Sequence, residues 1–160
     1  MNSIILDTLY TSTITENLDH TELANIEGMF EVVPYRCGEM ISLSACNLQD
    51  NFSILAKGHI EVKIPHGVGE SIVCTLHPGD LVELNTFIYH TTPKAKLYAV
   101  GDTDILFMSK SRFENLVKSD PLIMSRVVYG MMHNYQNILG RMSSRIAELT
   151  DYIYHTNSRI

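Results

Sequence analysis

The sequence predicts a mainly β domain with some α: an antiparallel β-roll followed by one long C-terminal helix. Three observations carry this. From Phe30 to about Ser109 apolar and polar residues alternate in short runs broken by turn residues, the period of half-buried strands. Beyond Pro121 there is no further proline, and apolar residues recur at heptad spacing. Over 160 residues the chain is 45% hydrophobic and 19% charged, the composition of a folded domain rather than a disordered one.

Taken in order, residues 15–28 (TENLDHTELANIEG) predict a short helix. Asp19 and Glu22 have the spacing of a capping box, and Gly28 is placed to stop the helix. Leu18, Leu23 and Ile26 are its candidate core contacts. Eight candidate strands follow: FEVVPY, EMISL, FSILAKG, HIEVKIP, SIVCTLH, DLVEL, AKLYAV and DILFMS. Turn signals separate them at Cys37-Gly38, Lys57-Gly58, His66-Gly67, Pro78-Gly79-Asp80 and Gly101-Asp102. Pro78 presets φ for a tight turn, and Gly79 can take the positive φ a type II turn asks for next. Short strands at a spacing of about ten residues favour a closed or nearly closed antiparallel roll.

After Lys110 the pattern becomes helical. Residues 111–120 (SRFENLVKSD) predict one short helix, and Pro121 opens another, where its missing N–H costs nothing. Val128, Met132, Tyr135, Leu139, Met142, Ile146, Leu149 and Ile153 then fall at alternating steps of four and three, an a/d seam of about four heptads. Such a helix is about 40 Å long, more than the roll can cover. Polar residues beside the seam (Asn134, Arg141, Ser144, Arg145, Glu148) suit a two-helix coiled coil across a homodimer better than a fully buried helix. Those eight seam residues are the candidate dimer interface. The expected division is residues 1–120 for the roll with its short helices and 121–155 for the dimerisation helix.

A net charge of −6 and a pI near 5.6 argue against broad contact with nucleic acid, which needs clustered Lys and Arg. No apolar run approaches the roughly 20 residues of a membrane span, and the first residues lack the basic flank and cleavage site of a secretory signal. The cytoplasm is the expected compartment, with no membrane partner. Cys37, Cys46 and Cys74 are odd in number and form no CxxC pair, so reduced thiols are expected rather than a disulfide scaffold. Cys74 and His77, three apart on a strand, point to opposite faces and make a poor metal pair.

The order of PYRCGEMI, SILAKGHIEVKI and LHPGDLVEL, followed by a short helix and a long seam helix, resembles the effector domain of the cyclic-AMP receptor protein/FNR family of transcription regulators, from about Leu23 to Ile160. Gly38-Glu39, Gly58 and Pro78-Gly79-Asp80 stand where that family has its GE, its lone glycine and its PGD. The resemblance implies an antiparallel double-stranded β-roll (jelly-roll, cyclic-nucleotide-binding-like), a homodimer, and a sensor role in transcription regulation. In the family the seam helix leads into a winged helix-turn-helix that enters the DNA major groove. Residues 156–160 resemble the start of that domain, so DNA is expected as a partner only through a C-terminal domain beyond this sequence. The alternative is a stand-alone β-roll that binds a small ligand or dimerises without DNA.

Relatives that bind a cyclic nucleotide use a segment like GELALLxxxPRSA, whose glutamate takes the ribose hydroxyl and whose arginine pairs with the phosphate. Aligned from Gly79-Asp80, this sequence has Glu83 at the glycine, Leu84 at the glutamate, Pro93 at the arginine and Lys94 at the serine. A phosphate left without its partner in a pocket costs several kcal/mol, on the order of 1–3 per unmet group. Cyclic AMP is therefore not expected, and the site reads as degenerate. An N-terminal cysteine cluster for iron and sulfur is missing, since no cysteine precedes Cys37. The family's haem-ligand neighbourhood carries Glu83 and Asn85; His77, His90 and His133 leave haem open by another route. No metal site is expected, His59-x-Glu61 being the nearest fragment of one. An apolar organic effector is also open. Its pocket candidates on the roll are Leu84, Asn85, Phe87, Tyr89, Lys94 and Lys96; those on the helix are Tyr135, Met142 and Ser143. No phosphate loop, Gly-x-Ser-x-Gly or His-Glu-x-x-His occurs, so no catalytic residue is assigned and no enzyme activity expected.

Overall fold

The structure, a computed structural model, describes residues 3–41, 51–82 and 95–157. Two helices precede the sheet. The first, α1 (Ser3–Thr11), was not legible as a helix: it has no acidic first turn and no basic last turn. It is held by packing instead, with Ile5 and Leu9 buried in a cluster that also contains Leu23, Ile26 and Phe30. In α2 (His20–Glu27) the expected capping box is present. The Asp19 carboxylate accepts the N–H groups of Thr21 (2.8 Å) and Glu22 (2.9 Å), and the Glu22 carboxylate accepts the Asp19 N–H (3.0 Å).

Four strands, β1 (Glu31–Tyr35), β2 (Asn51–His66), β3 (Gly69–Leu76) and β4 (Lys96–Ser109), pair antiparallel in the order β1-β4-β2-β3. Two of the expected turns are bulges inside continuous strands. Lys57-Gly58 lies within β2 and Gly101-Asp102 within β4, and the β2–β4 register shifts on both sides of Lys57. Gly58 has φ +80° and Gly101 φ +78°. A Cβ on Gly58 would lie 2.5 Å from Thr103 Oγ1 and 2.7 Å from the Asp102 carbonyl oxygen, so the two strands bend past each other where only glycine fits. The turns at Gly67 and Gly79 are as expected, both with positive φ.

The expected strands EMISL and DLVEL are described only at their starts. The Ile41 N–H bonds to Leu97 O (2.8 Å), and the Val82 N–H to Ser53 O (3.0 Å), which brings residues 38–41 and 79–82 onto β4 and β2. The remainder of both lies outside the described residues. The roll interior is apolar: Tyr35, Leu55, Ile60, Leu76, Leu97 and Ile105 are buried in one cluster.

Two helices close the chain. α3 (Lys110–Ser119) is capped by Ser109, whose hydroxyl accepts the Arg112 N–H. Asp120 then accepts the Ile123 N–H at the start of α4 (Pro121–Asn157), a helix of 37 residues and about 55 Å that continues two residues past the expected boundary. Among the described residues no helix is long and apolar enough to cross a membrane.

Candidate functional site

α4 carries two stripes, one residue and so about 100° apart around the helix. The first faces the protein's own roll: Ile123, Val127, Met131, Asn134 and Ile138 are all buried. The second is the seam, and most of it is uncovered. Val128, Met132, Leu139, Ile146 and Leu149 are 44%, 67%, 44%, 63% and 49% exposed. Tyr135 is half-buried and lines an open groove of about 620 Å³ with Glu16, Asn17, Tyr129, Met132 and Leu139. Met142 is also half-buried, because it packs beside Ile138 on the roll's inner cluster. The Ile153 side chain lies outside what is described.

Where the first stripe meets the roll, the contact is polar. The turn Pro78-Gly79-Asp80, which leads in sequence into residues 83–94, is held from two sides. The buried Asn134 amide accepts the Leu81 N–H (3.0 Å) and donates to Thr13 Oγ1 (2.9 Å) and Asp80 Oδ1 (3.2 Å), with the Gly79 carbonyl a weaker third acceptor at 3.4 Å. Asp80, nearly buried, accepts the His77 N–H (2.8 Å) and an N–H of the Arg141 guanidinium. Ser12 donates to the Gly79 carbonyl at 2.7 Å. A buried carboxylate with an arginine partner and a backbone donor is neutralised and bonded, as burial of a charge requires. The Arg141 Nε, also buried, has no hydrogen-bond partner among the described residues.

Cys74 sits beside this junction on β3. Burial pushes its thiol pKa up, the Arg141 guanidinium opposes that, and the Asp80 carboxylate adds to it. The outcome is a protonated thiol, a small apolar neighbour rather than a nucleophile.

Of the pocket candidates, Leu84, Asn85, Phe87, Tyr89 and Lys94 lie outside the described residues, as do Glu83, His90 and Pro93. Lys96 is not brought to the roll interior. Its neighbour Leu97 is buried, so Lys96 takes the opposite face of β4, 2.5 Å from the Glu70 carboxylate. That contact raises the Lys96 pKa and lowers that of Glu70. Ser143 is exposed. On the helix, Met142 alone of the three candidates meets the inner cluster. Asn134, Arg141 and Ile138 are the contacts that sequence reasoning missed. The heptad pattern puts Asn134 on the polar flank of the seam, yet it is 3% exposed. Its spacing from Val127, Met131 and Ile138 is the signal that could have placed it on a second buried stripe.

The model of the family "cyclic nucleotide-binding domain" matches residues 32–120, more than half of the chain. No curated protein matches. Among solved structures, the fold is similar to a CooA mutant from Carboxydothermus hydrogenoformans (21% identity, 87% of this chain and 86% of that one, TM-score 0.62). It is also similar to the Thermus thermophilus catabolite activator protein (21%, 89% and 63%, TM-score 0.61). A cyclic nucleotide-binding domain from Methylobacillus flagellatus superposes with a TM-score of 0.76 at 14% identity, covering 91% of this chain and 82% of that one. At such identities the likeness is one of fold. Because the family model covers more than half of the chain, the chain belongs to the cyclic nucleotide-binding domain family.

Proposed function

We propose that this domain is the effector-sensing and dimerisation part of a transcription regulator of the cyclic-AMP receptor protein/FNR type, binding rather than catalysing. Its effector is a small molecule other than a cyclic nucleotide, because Leu84 and Pro93 stand where the ribose and phosphate contacts belong. DNA is reached through a further domain of the regulator, as the resemblance implies. The observation that carries this reading is the uncovered seam of α4. Five apolar side chains at heptad spacing, each at least 44% exposed, are the surface a second copy of the same helix covers.

Light scattering at micromolar concentration tests it. The wild type is expected at twice the mass of one chain. The double variant Leu139→Asp with Ile146→Asp is expected at the mass of one, since four carboxylates then face each other in an apolar interface. A monomeric wild type overturns the reading.

A further inference from the structure

The junction beneath the 78–80 turn has three parts that interlock. Residues 12–14 form a strap. It lies between the turn and α4, and at both contacts a glycine makes the room. A Cβ on Gly130 would lie 2.1 Å from the Ile14 carbonyl oxygen, and one on Gly79 would lie 3.3 Å from Ser12 Cα. Asn134 binds all three parts with one amide: its own helix, the strap at Thr13, and the turn at Asp80 and Leu81. Withdrawing any part leaves buried donors or acceptors of the other two unpaired, so the contacts support one another. Arg141 closes the far end, at the point where α4 leaves the roll, since from Ser143 to Tyr152 every residue is exposed. Its buried Nε has no partner among the described residues, which makes that end the least satisfied part of the junction as described. At its other end the strap continues to Glu16, whose carboxylate lies 2.7 Å from His133 Nδ1 at the edge of the uncovered seam.

We propose that strap, turn and helix form one latch that opens as a unit, with Asn134 as its hub. The latch then ties the backbone that leads into residues 83–94 to the edge of the dimer seam. Its purpose rests on the sensor reading above; its geometry does not. The strap is thus a working part of the sensor, and the N-terminal segment sets how firmly the turn is held to α4.

Native-state amide hydrogen exchange on the 160-residue chain tests this with two variants. Thr13→Val removes the strap hydroxyl at constant shape, and Arg141→Met removes the guanidinium at similar length. The reporters are the Ile14 N–H, bonded to Ser12 Oγ, and the Leu81 N–H, bonded to Asn134. Each variant is expected to speed both reporters by a common factor of at least about tenfold while the ladder amides of Ile60 and Ile105 keep their rates. Acceleration of Ile14 alone by Thr13→Val, or of Leu81 alone by Arg141→Met, overturns the latch, because the contacts are then independent. Equal acceleration of the sheet amides overturns it too, as loss of the whole roll, and so does no change at all. Sizing the same samples separates the two readings: a coupled junction in a monomer keeps the latch and sinks the dimer, and an uncoupled junction in a dimer does the reverse.

Discussion

At Gly130 the neighbours of an added Cβ are backbone, the carbonyls of Ile14 and Thr13 at 2.1 and 2.6 Å, and cannot swing aside as a side-chain tip would. In an open helix interior, glycine to alanine stabilises by about 1 kcal/mol. Here overpacking wins, and Gly130→Ala is expected to destabilise by about 1–3 kcal/mol. Gly140→Ala, ten residues on with nothing within 4 Å, is expected to be neutral or stabilising by up to about 1 kcal/mol. Urea unfolding of the pair checks this; if both behave alike, the strap does not seat on Gly130. The ligand question also lives at single residues. In the alignment from Gly79-Asp80, the apolar Leu84 and the donor-less Pro93 fall at the positions of the family's carboxylate and guanidinium, and Lys96 is engaged with Glu70 on the other face of its strand. Titration calorimetry with millimolar cyclic AMP and cyclic GMP is expected to give no saturable heat. A dissociation constant of about 10 μM, which is roughly −7 kcal/mol of binding, would show that other groups replace the two anchors.

Among the elements, those with a local cause were legible and those with a tertiary cause were not. The capping box of α2, the turn at Pro78-Gly79 and the opening of α4 at Pro121 are decided within four residues, and each lies where its residues say. Helix α1 has no such signal; Ile5 and Leu9 form it by finding a buried cluster. At Gly58 and Gly101 the sequence pattern predicts turns, but a glycine between alternating runs suits a bulge equally well. The choice falls to β2 and β4, which stay paired on both sides of the irregularity. The seam was read from its heptad steps. Those same steps hid the stripe one residue away, where Asn134 interrupts an otherwise apolar row and so looked like surface. The spacing from Val127, Met131 and Ile138 points to a buried row, but what the Asn134 amide binds there cannot be read from nearby sequence. Its partners are Thr13 and the Asp80-Leu81 backbone, more than 50 positions away.

For the whole molecule, the disproportion between the roll and α4 decides how it behaves. Beyond Met142 the helix continues to Asn157, about 22 Å, and its described residues from Ser143 to Tyr152 touch no core. An overhang that extends a packed helix needs no new nucleation, but without packing of its own each added residue contributes little, so about 15 such residues are marginal in water. This stretch also includes Ser143, Ser144, Thr150 and Tyr152, none of them a strong helix former. If the proposed second copy orders it, Ile146 and Leu149, 63% and 49% exposed, are the apolar contacts available for it. A helix ordered by self-association is stabilised by mass action, so both its protection and the unfolding temperature rise with protein concentration. Amides 143–152 are expected to exchange within seconds at concentrations below the dimer dissociation constant and to be protected above it, while the Ile60 and Ile105 amides keep one rate throughout. In the Leu139→Asp, Ile146→Asp variant the concentration dependence should vanish and the helical signal in circular dichroism should fall. If amides 143–152 are equally protected at nanomolar and at tens of micromolar chain, the overhang is stable by itself, and the seam is not what orders it.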